Sequence, residues 1–328
     1  GTFKDRVLME EHPELMIEGM IFAAYAVGAS KGAIYLRAEY MYLRNRLEEL
    51  LQEYRSKGYL GKSIRAKYPF DFDIHIHRGA GAYVCGEETA LIHSMEGKRG
   101  EPGTREYFPV ERGFNDQPTI VNNVETLCAV PRILQMGISK YLSLGTKATP
   151  GTKLFSVSGD CKKPGMYEIE MGTDLHTVFY EYGNGFKTDI KGFQIGGPLG
   201  GIVPMHKSGD LTLDFESLNS NGFLLGHASV VSIPKDFPMV KLLEHLMEFT
   251  ADESCGKCYP CRIGSHRGME MLQKAQKEKY KIDRQLFEDL LETLEIGSLC
   301  ALGGGVPLPV KNALMYFNDE LKQYFTSN

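Results

Sequence analysis

Four cysteines near the carboxyl end constrain this chain more than any other feature of its sequence. Three of them lie in the run Cys255-Gly256-Lys257-Cys258-Tyr259-Pro260-Cys261, and the fourth, Cys300, follows much later. Two residues between successive cysteines let three sulfurs converge on one small object, and a fourth sulfur from a distant turn closes a site of four thiolates. The chain is therefore expected to fold so that these two segments meet.

Four cysteine thiolates can hold either a [4Fe–4S] cluster or a zinc ion. Zinc sites more often use two separated C-x-x-C pairs, whereas here the three clustered cysteines are spaced as C-x-x-C-x-x-C. This spacing favours an iron–sulfur cluster held by Cys255, Cys258, Cys261 and Cys300. Zinc and four unligated thiols are the alternatives that the residues leave open.

Length and charge limit the classes of protein to consider. With 328 residues the chain is long enough for two or three domains, and its net charge of −5 gives no electrostatic case for binding nucleic acid. The longest strongly apolar run, residues 20–27, is far shorter than the roughly 20 residues that cross a bilayer, so no direct membrane span is expected.

Cysteine usage points to a reducing compartment. No secretory signal is visible, and four of the seven cysteines are grouped as ligands rather than spread as a disulfide framework. We therefore expect a cytoplasmic protein. The remaining three, Cys85, Cys128 and Cys161, are expected to be small buried residues rather than reactive thiols.

The first part of the chain predicts α/β organisation. Pro13 can begin a helix that ends near Gly28, and a more polar helix is predicted over residues 40–57. Residues 33–37 and 70–77 are predicted strands. Later in the chain, strands are predicted over residues 153–157, 165–169 and 192–195, and a helix over 175–182. From Pro238 onward the pattern is helical, with helices over 269–277, 284–294 and 310–324.

A glycine-rich turn follows the second predicted strand, in Arg78-Gly79-Ala80-Gly81-Ala82-Tyr83-Val84-Cys85-Gly86, and leads into Glu87, Glu88 and a predicted helix. Residues without a β-carbon let backbone amides approach a phosphate or a flavin ring closely. The turn is not the Rossmann fingerprint, because Val84 stands where the third glycine would be. Taken alone, it is as compatible with a purely structural turn as with a ligand site.

Two further polar pairs have both a structural and a functional interpretation. Glu87 and Glu88 could cap the helix that follows, or accept hydrogen bonds from a bound nucleotide. Asn122 and Asn123 could begin a helix, or recognise a phosphate or ribityl group. The residues by themselves favour the structural interpretation of both pairs.

Three ordered motifs together carry a resemblance to a known family. The cysteine motif, residues 79–91 and residues 119–126 closely resemble the NADH-oxidising flavoprotein subunit of respiratory complex I, whose relatives include diaphorase subunits of NAD-linked hydrogenases and formate dehydrogenases. Lys163-Pro164-Gly165-Met166-Tyr167-Glu168 is similar to the ubiquitin-like soluble-ligand-binding domain of that family. The resemblance covers essentially the whole chain.

This resemblance implies a fold and a domain order. We expect an α/β chain with a Rossmann-like FMN- and NADH-binding domain over residues 1–148 whose N-terminal part is missing. A ubiquitin-like (β-grasp) domain over 149–236 and a helical bundle with the [4Fe–4S] cluster over 237–328 are expected to follow.

It also implies an activity, cofactors and partners. The chain would be an NADH dehydrogenase (NADH:acceptor oxidoreductase) flavoprotein subunit that passes hydride from NADH to FMN and single electrons onward through the cluster. Its partners would be a thioredoxin-like [2Fe–2S] subunit and further iron–sulfur subunits of a multisubunit complex. The location would be cytoplasmic, or the peripheral arm of a membrane complex.

Site residues carry over by matching position. No side chain is needed as a catalytic acid or base. The residues that would line the FMN and NADH site are Arg78, Gly79, Gly81, Tyr83, Gly86, Glu87 and Glu88. Asn122 and Asn123 would contact the phosphate-bearing tail of the flavin, and Phe108 would pack on the adenine of NADH.

The sequence departs from the family pattern at two places. The glycine-rich FMN loop and the acidic segment that precede Gly1-Thr2-Phe3 in the family are absent, and Glu106-Tyr107-Phe108-Pro109-Val110 stands where the family has Pro-Pro-Phe-Pro-Ala. The first departure raises an alternative: a non-catalytic electron-relay or assembly subunit that retains the cluster but lacks a complete FMN site.

Overall fold

The computed structural model describes residues 2–65, 69–104 and 106–326. They form two compact units: the first spans Phe3–Tyr141, and the second contains Thr2 and the described residues from Leu142 onward. Both units combine helices with a sheet, so the expected mixed α/β fold is confirmed. None of the helices in the described ranges has the length and apolar character that crossing a bilayer demands.

The first unit is built mainly from helices around a pair of strands. Its main elements are α1 (Lys4–Glu11), α2 (Pro13–Val27), β1 (Lys31–Leu36), α3 (Arg44–Ser56), β2 (Asp73–Arg78), α4 (Glu88–Met95) and α5 (Val124–Met136). The predicted limits of α2 are confirmed: Pro13 begins the helix, and Gly28 ends it with a left-handed φ of +73°. The predicted helix over residues 40–57 begins too early, because Tyr40 has non-helical dihedral angles and the segment Ala38–Leu43 is a 3₁₀ turn.

Strands β1 and β2 are parallel, with Lys31 opposite Asp73 and Leu36 opposite Arg78. Their carboxyl ends therefore lie at the same edge of the sheet. The glycine-rich turn leaves β2 at this edge, which is where open α/β sheets bind their ligands. Apolar residues on the neighbouring elements, such as Ile17, Leu47 and Ile74, are almost fully buried and hold the strands in place.

The second unit begins with a five-stranded sheet. Its strands are β3 (Thr152–Ser158), β4 (Gly165–Glu170), β5 (Ile190–Ile195), β6 (Ile202–Pro204) and β7 (Ser229–Pro234), in the order β4-β3-β7-β5-β6. β3 is antiparallel to β4 and parallel to β7, whereas β5 is antiparallel to both β6 and β7. The sequence predicted β3, β4 and β5 but not β6, which is only three residues long, or β7.

Short helices accompany this sheet. They are α6 (Ile138–Leu142), which leads out of the first unit along the chain, α7 (Leu175–Thr177) and α8 (Phe215–Ser220). α7 continues directly as a π-helical turn over Val178–Tyr182, where the sequence predicted one helix. Phe155, Phe179 and Phe193 are fully buried in the core that the sheet shares with α7, the π-helical turn and α8.

The rest of the second unit is helical. It contains α9 (Met239–Asp252), α10 (Ser265–Lys277), α11 (Arg284–Gly297), α12 (Ala301–Gly305), α13 (Pro307–Tyr316) and α14 (Asn318–Leu321). Leu243, Leu272 and Leu291 form part of its core, to which Ile202 and Ile233 of the sheet also belong. The single helix predicted over residues 310–324 is wrong, because Phe317 is non-helical (φ −120°, ψ 28°) and separates α13 from α14.

Candidate functional site

Three of the four predicted cluster ligands lie on the segment between α9 and α10. Cys255 and Cys258 lie on the loop after α9 and are half-buried, whereas Cys261 is buried in a π-helical turn, Pro260–Gly264, that leads directly into α10. Pro260 suits the start of this turn because its fixed φ is already helical. The C-x-x-C-x-x-C spacing is thus divided between a loop and the first turn of a helix.

Cys300 comes from a separate segment, between α11 and α12. It is the N-cap residue of α12 and has an extended backbone (φ −143°, ψ 172°). Gly303 in α12 packs so closely on the first cysteine segment that a β-carbon there would lie 2.7 Å from Cβ of Cys261. Only glycine permits this approach, and the approach joins the two cysteine segments.

The four thiols influence one another's protonation. The pKa of the Cys261 thiol is raised to about 11, mainly by burial; a hydrogen bond with Ser254 lowers the pKa, and the neighbouring thiols of Cys258, Cys300 and Cys255 contribute smaller increases. Burial also raises the pKa of Cys300, where Cys255 and Cys258 contribute again. These are properties of metal-free thiols. A bound metal ion reverses them, since coordination removes the thiol proton.

The spacing of the thiols is not that of a site for one ion. Throughout the described residues, no three His, Cys, Asp or Glu side chains are close enough together to hold a single metal ion. The common site of the four cysteines therefore rests on their mutual electrostatic effects and on the close contact at Gly303, and not on single-ion geometry.

Polar groups brace the cysteine loop. The hydroxyl of Ser254 lies 3.4 Å from the sulfur of Cys261 and accepts a hydrogen bond from the amide of Gly256 at 3.3 Å. The Arg262 guanidinium stacks over the Tyr259 ring at 4.7 Å and donates to the carbonyl of Gly256 at 3.3 Å. Sequence reasoning missed Ser254, although its position next to the first cysteine was a usable signal.

The three glycines predicted at the FMN site differ in what the fold asks of them. A β-carbon at Gly79 would lie 2.8 Å from the ring of Tyr35, and Gly81 has a left-handed φ of +90°. The fold itself therefore requires both. Gly86 has neither constraint: apart from its chain neighbours and the backbone of its own turn, no described atom lies within 4 Å of the position that its β-carbon would take. Gly86 is exposed, and the space beside it is open to a ligand or to solvent.

Of the acidic pair after the turn, Glu87 has a clear structural role as a helix cap. Glu87 is the N-cap of α4, and its carboxylate accepts hydrogen bonds from the amide of Ala90 at 2.9 Å and from the hydroxyl of Thr89. Glu88 lies half-buried in the first turn of the helix, where a carboxylate interacts favourably with the helix dipole. Arg78 and Tyr83 are exposed on the same turn.

The remaining predicted residues lie on other segments of the first unit. Asn123 is the N-cap of α5; its oxygen accepts from the amide of Glu125 at 3.1 Å and from Lys4 Nζ at 2.7 Å, and its nitrogen donates to Asp5 at 2.9 Å. Asn122 is exposed. Phe108 is 59% exposed on a loop. The buried Lys4, which holds Asn123, was not recognised from the sequence.

Two family models match this chain, one for FMN binding and one for the iron–sulfur region. Residues 1–132 match a family model described as the Nuo51 FMN-binding domain, and residues 241–324 match one described as the NADH-ubiquinone oxidoreductase-F iron-sulfur binding region. The NAD-reducing hydrogenase HoxS subunit alpha of Cupriavidus necator is 42% identical over 97% of this chain and 51% of its own length. An NADH-quinone oxidoreductase subunit of Rhizobium meliloti is 40% identical over 98% of this chain and 76% of its own.

A solved structure shows the same fold. The crystal structure of an NAD⁺-reducing [NiFe]-hydrogenase in the H₂-reduced state superposes with a TM-score of 0.88 at 36% identity, covering 100% of this chain and 55% of that one. The chain thus spans about half the length of the hydrogenase chains that it matches.

Proposed function

Since this chain belongs to the family of flavoprotein subunits found in both NADH-quinone oxidoreductase and NAD-reducing hydrogenase, we propose that it is the NADH-oxidising module of a multisubunit oxidoreductase. The FMN and [4Fe–4S] cofactors expected from the sequence are confirmed by the two family models. The chain spans only part of the length of several relatives, so we also propose, rather than infer from its family alone, that the complete protein oxidises NADH.

The residues of this chain supply position rather than acid–base chemistry. When bound, FMN accepts two electrons as a hydride and releases them singly, and a [4Fe–4S] cluster carries one electron at a time. Cys255, Cys258, Cys261 and Cys300 would hold the cluster. The turn from Arg78 to Glu88 would line the flavin and NADH site, with Gly86 providing the space.

The three proposed contacts Asn122, Asn123 and Phe108 differ in whether the side chain is available to a ligand. Asn122 would contact the phosphate-bearing tail of the flavin with its exposed side chain. Asn123 would act mainly through its backbone, because Lys4, Asp5 and Glu125 already occupy its side chain. Phe108, exposed on its loop, would pack on the adenine of NADH.

We place the domain limits at 1–148, 149–236 and 237–328. The parallel pair β1 and β2 with its surrounding helices supports a Rossmann-like first domain. In the five-stranded sheet, numbered from its own first strand, the order is 2-1-5-3-4 with the first and last strands parallel, which supports a ubiquitin-like second domain. The third domain is the helical part that holds the cysteines.

The partners we propose are a thioredoxin-like [2Fe–2S] subunit and further iron–sulfur subunits. The support is that the relatives are named as subunits, both of NADH-quinone oxidoreductase and of NAD-reducing hydrogenase. The location that follows is cytoplasmic, or the peripheral arm of a membrane complex.

The observation that carries the proposal is the meeting of Cys300 with the C-x-x-C-x-x-C segment across Gly303, in a chain whose first 132 residues match an FMN-binding domain. The test is an anaerobic NADH titration of the complete protein, followed by flavin absorbance and by electron paramagnetic resonance (EPR) of the cluster. Flavin bleaching at stoichiometric NADH with electrons on the cluster is expected. A cluster that dithionite reduces but NADH does not, in a protein without flavin, would overturn the proposal in favour of a non-catalytic electron relay.

A further inference from the structure

A buried hydroxyl beside the four cysteines has no partner among the described residues. Ser298 follows α11 and stands two residues before Cys300; its amide is bound to the carbonyl of Leu294 at 3.2 Å, but its Oγ is buried and makes no hydrogen bond in the part of the chain that the structure describes. Buried hydroxyls are almost always satisfied, because an unpaired one has lost its hydrogen bond to water. This hydroxyl is therefore available to a group bound beside the cysteines.

The position of this hydroxyl relative to the cysteines is fixed by Gly303. A β-carbon on Gly303 would lie 2.5 Å from Ser298 Oγ and 2.7 Å from Cys261 Cβ. The hydroxyl and a cluster ligand thus flank the same point of α12, one turn from Cys300. A cluster held by the four thiols would bring sulfur acceptors to this location.

We infer that Ser298 donates a hydrogen bond to a sulfur of the [4Fe–4S] cluster and so raises its reduction potential. The inference rests on the proposed function in one respect, the presence of the cluster. Gaining one electron makes the cluster and its thiolates more negative, and a hydrogen-bond donor stabilises the more negative form. No proton is transferred: the hydroxyl keeps its hydrogen in both oxidation states.

Ser254 and Ser265 show why Ser298 is singled out. Ser254 lies 3.4 Å from the sulfur of Cys261, and Ser265 donates to the carbonyl of Cys261 at 2.6 Å. Both hydroxyls therefore already take part in a hydrogen bond within the protein, without the cluster. Ser298 Oγ has no partner within the described residues, which leaves its hydroxyl available to the cluster.

The test compares Ser298→Ala, Ser298→Thr and Ser265→Ala in the complete, cluster-containing protein, with midpoint potentials from EPR-monitored redox titrations. Ser298→Ala should lower the equilibrium constant for reduction about tenfold, which is about 59 mV for one electron. Ser298→Thr keeps the hydroxyl and should restore the wild-type potential. Ser265→Ala, the matched control, should lower stability without moving the potential.

Two further measurements distinguish tuning from a structural role. Without the cluster, Ser298→Ala should be at least as stable as the wild type, because it removes an unpaired buried hydroxyl. In the reduced wild type, an exchangeable proton coupled to the cluster should appear in EPR-detected hydrogen/deuterium exchange and be absent from Ser298→Ala.

Each contrary result has a distinct meaning. An unchanged potential in Ser298→Ala, or no such proton in the wild type, overturns the inference and leaves the proposed function intact. A wild-type protein that holds no cluster overturns both.

Discussion

Lys4 and Asn123 are joined by a hydrogen bond of 2.7 Å although they are far apart in the sequence. The ammonium of Lys4 is 3% exposed and also lies 2.6 Å from Asp5 and 3.2 Å from Glu125. The bond ties α1 to the start of α5. It also determines which face of Asn123 remains for a ligand, since the side-chain amide is held by the protein.

Replacing Lys4 with methionine should therefore destabilise the first unit. The change leaves two carboxylates without their cation and removes one of the two donors to the Asn123 oxygen. Removing one partner of a buried ion pair costs about 3 kcal/mol or more of unfolding free energy. Urea denaturation should show this loss. Lys57→Met is the control, because Lys57 and its partner Glu53 are both exposed and the substitution should cost much less stability. Equal losses in the two variants would contradict the buried-pair interpretation.

Gly86→Ala should separate flavin binding from folding. Apart from its chain neighbours and the backbone of its own turn, the added methyl group meets no described atom within 4 Å, so the stability of the flavin-free protein should stay within about 0.5 kcal/mol of the wild type. Flavin affinity should fall at least about tenfold, because the methyl occupies the space that we assign to the ligand. Fluorescence titration with FMN measures the affinity in the complete protein.

Gly79→Ala is the matched change in the same turn. Its methyl would lie 2.8 Å from the Tyr35 ring, and overpacking of this kind costs about 1–3 kcal/mol. Normal FMN affinity in Gly86→Ala, or a loss of stability as large as that in Gly79→Ala, would show that the space at Gly86 is not used by the flavin.

Cys258→Ser should stop electron transfer beyond the flavin while sparing hydride transfer from NADH. The half-buried thiol is one of four proposed ligands, and a serine hydroxyl is a poor substitute for a thiolate. Iron and sulfide content should fall, and flavin bleaching by NADH should persist. Cys161→Ala is the control, since Cys161 is buried in the core of the sheet and should leave the iron content unchanged. Loss of bleaching together with iron would indicate collapse of the fold instead.

Cys128 should make the stability of the first unit fall at alkaline pH. Burial, with Asp5 and Glu125 nearby, raises the pKa of its thiol to about 12. An unfolded cysteine has a pKa of about 8.5, so between these values the unfolded chain loses its proton first and is stabilised relative to the folded one. The contribution is fully present below pH 8.5 and is lost as the pH rises towards 12.

Denaturation curves of the wild type and Cys128→Ala from pH 8 to pH 10 measure this effect. The wild type should lose about 2 kcal/mol more than the variant over that range, since each pH unit above 8.5 contributes about 1.4 kcal/mol. The comparison uses the slopes, because the substitution also changes the baseline stability. Parallel curves would mean that the Cys128 thiol titrates at the same pH in the folded and unfolded chains.

Much of the architecture follows from residues that are close together in sequence. Pro13 and Gly28 mark the ends of α2, and isoleucines that alternate with polar residues mark β2. Element ends are local decisions, made by the dihedral preferences of a few neighbouring residues. Where two elements meet without a proline or glycine, as at Phe317, no local signal marks the break, and one long helix was predicted in place of two.

The cofactors could be predicted from the sequence, because the motifs that indicate them are continuous. The proposed cluster ligands Cys255, Cys258 and Cys261 likewise come from a local spacing. Packing was needed to show which of the three glycines the fold requires, that Lys4 holds Asn123, and that the Ser298 hydroxyl beside the cysteines has no partner in the described chain. Each of these depends on atoms that come together from distant parts of the chain. Local preferences carry no information about such neighbours, whereas the close approach of backbone and side chains in a packed core fixes them.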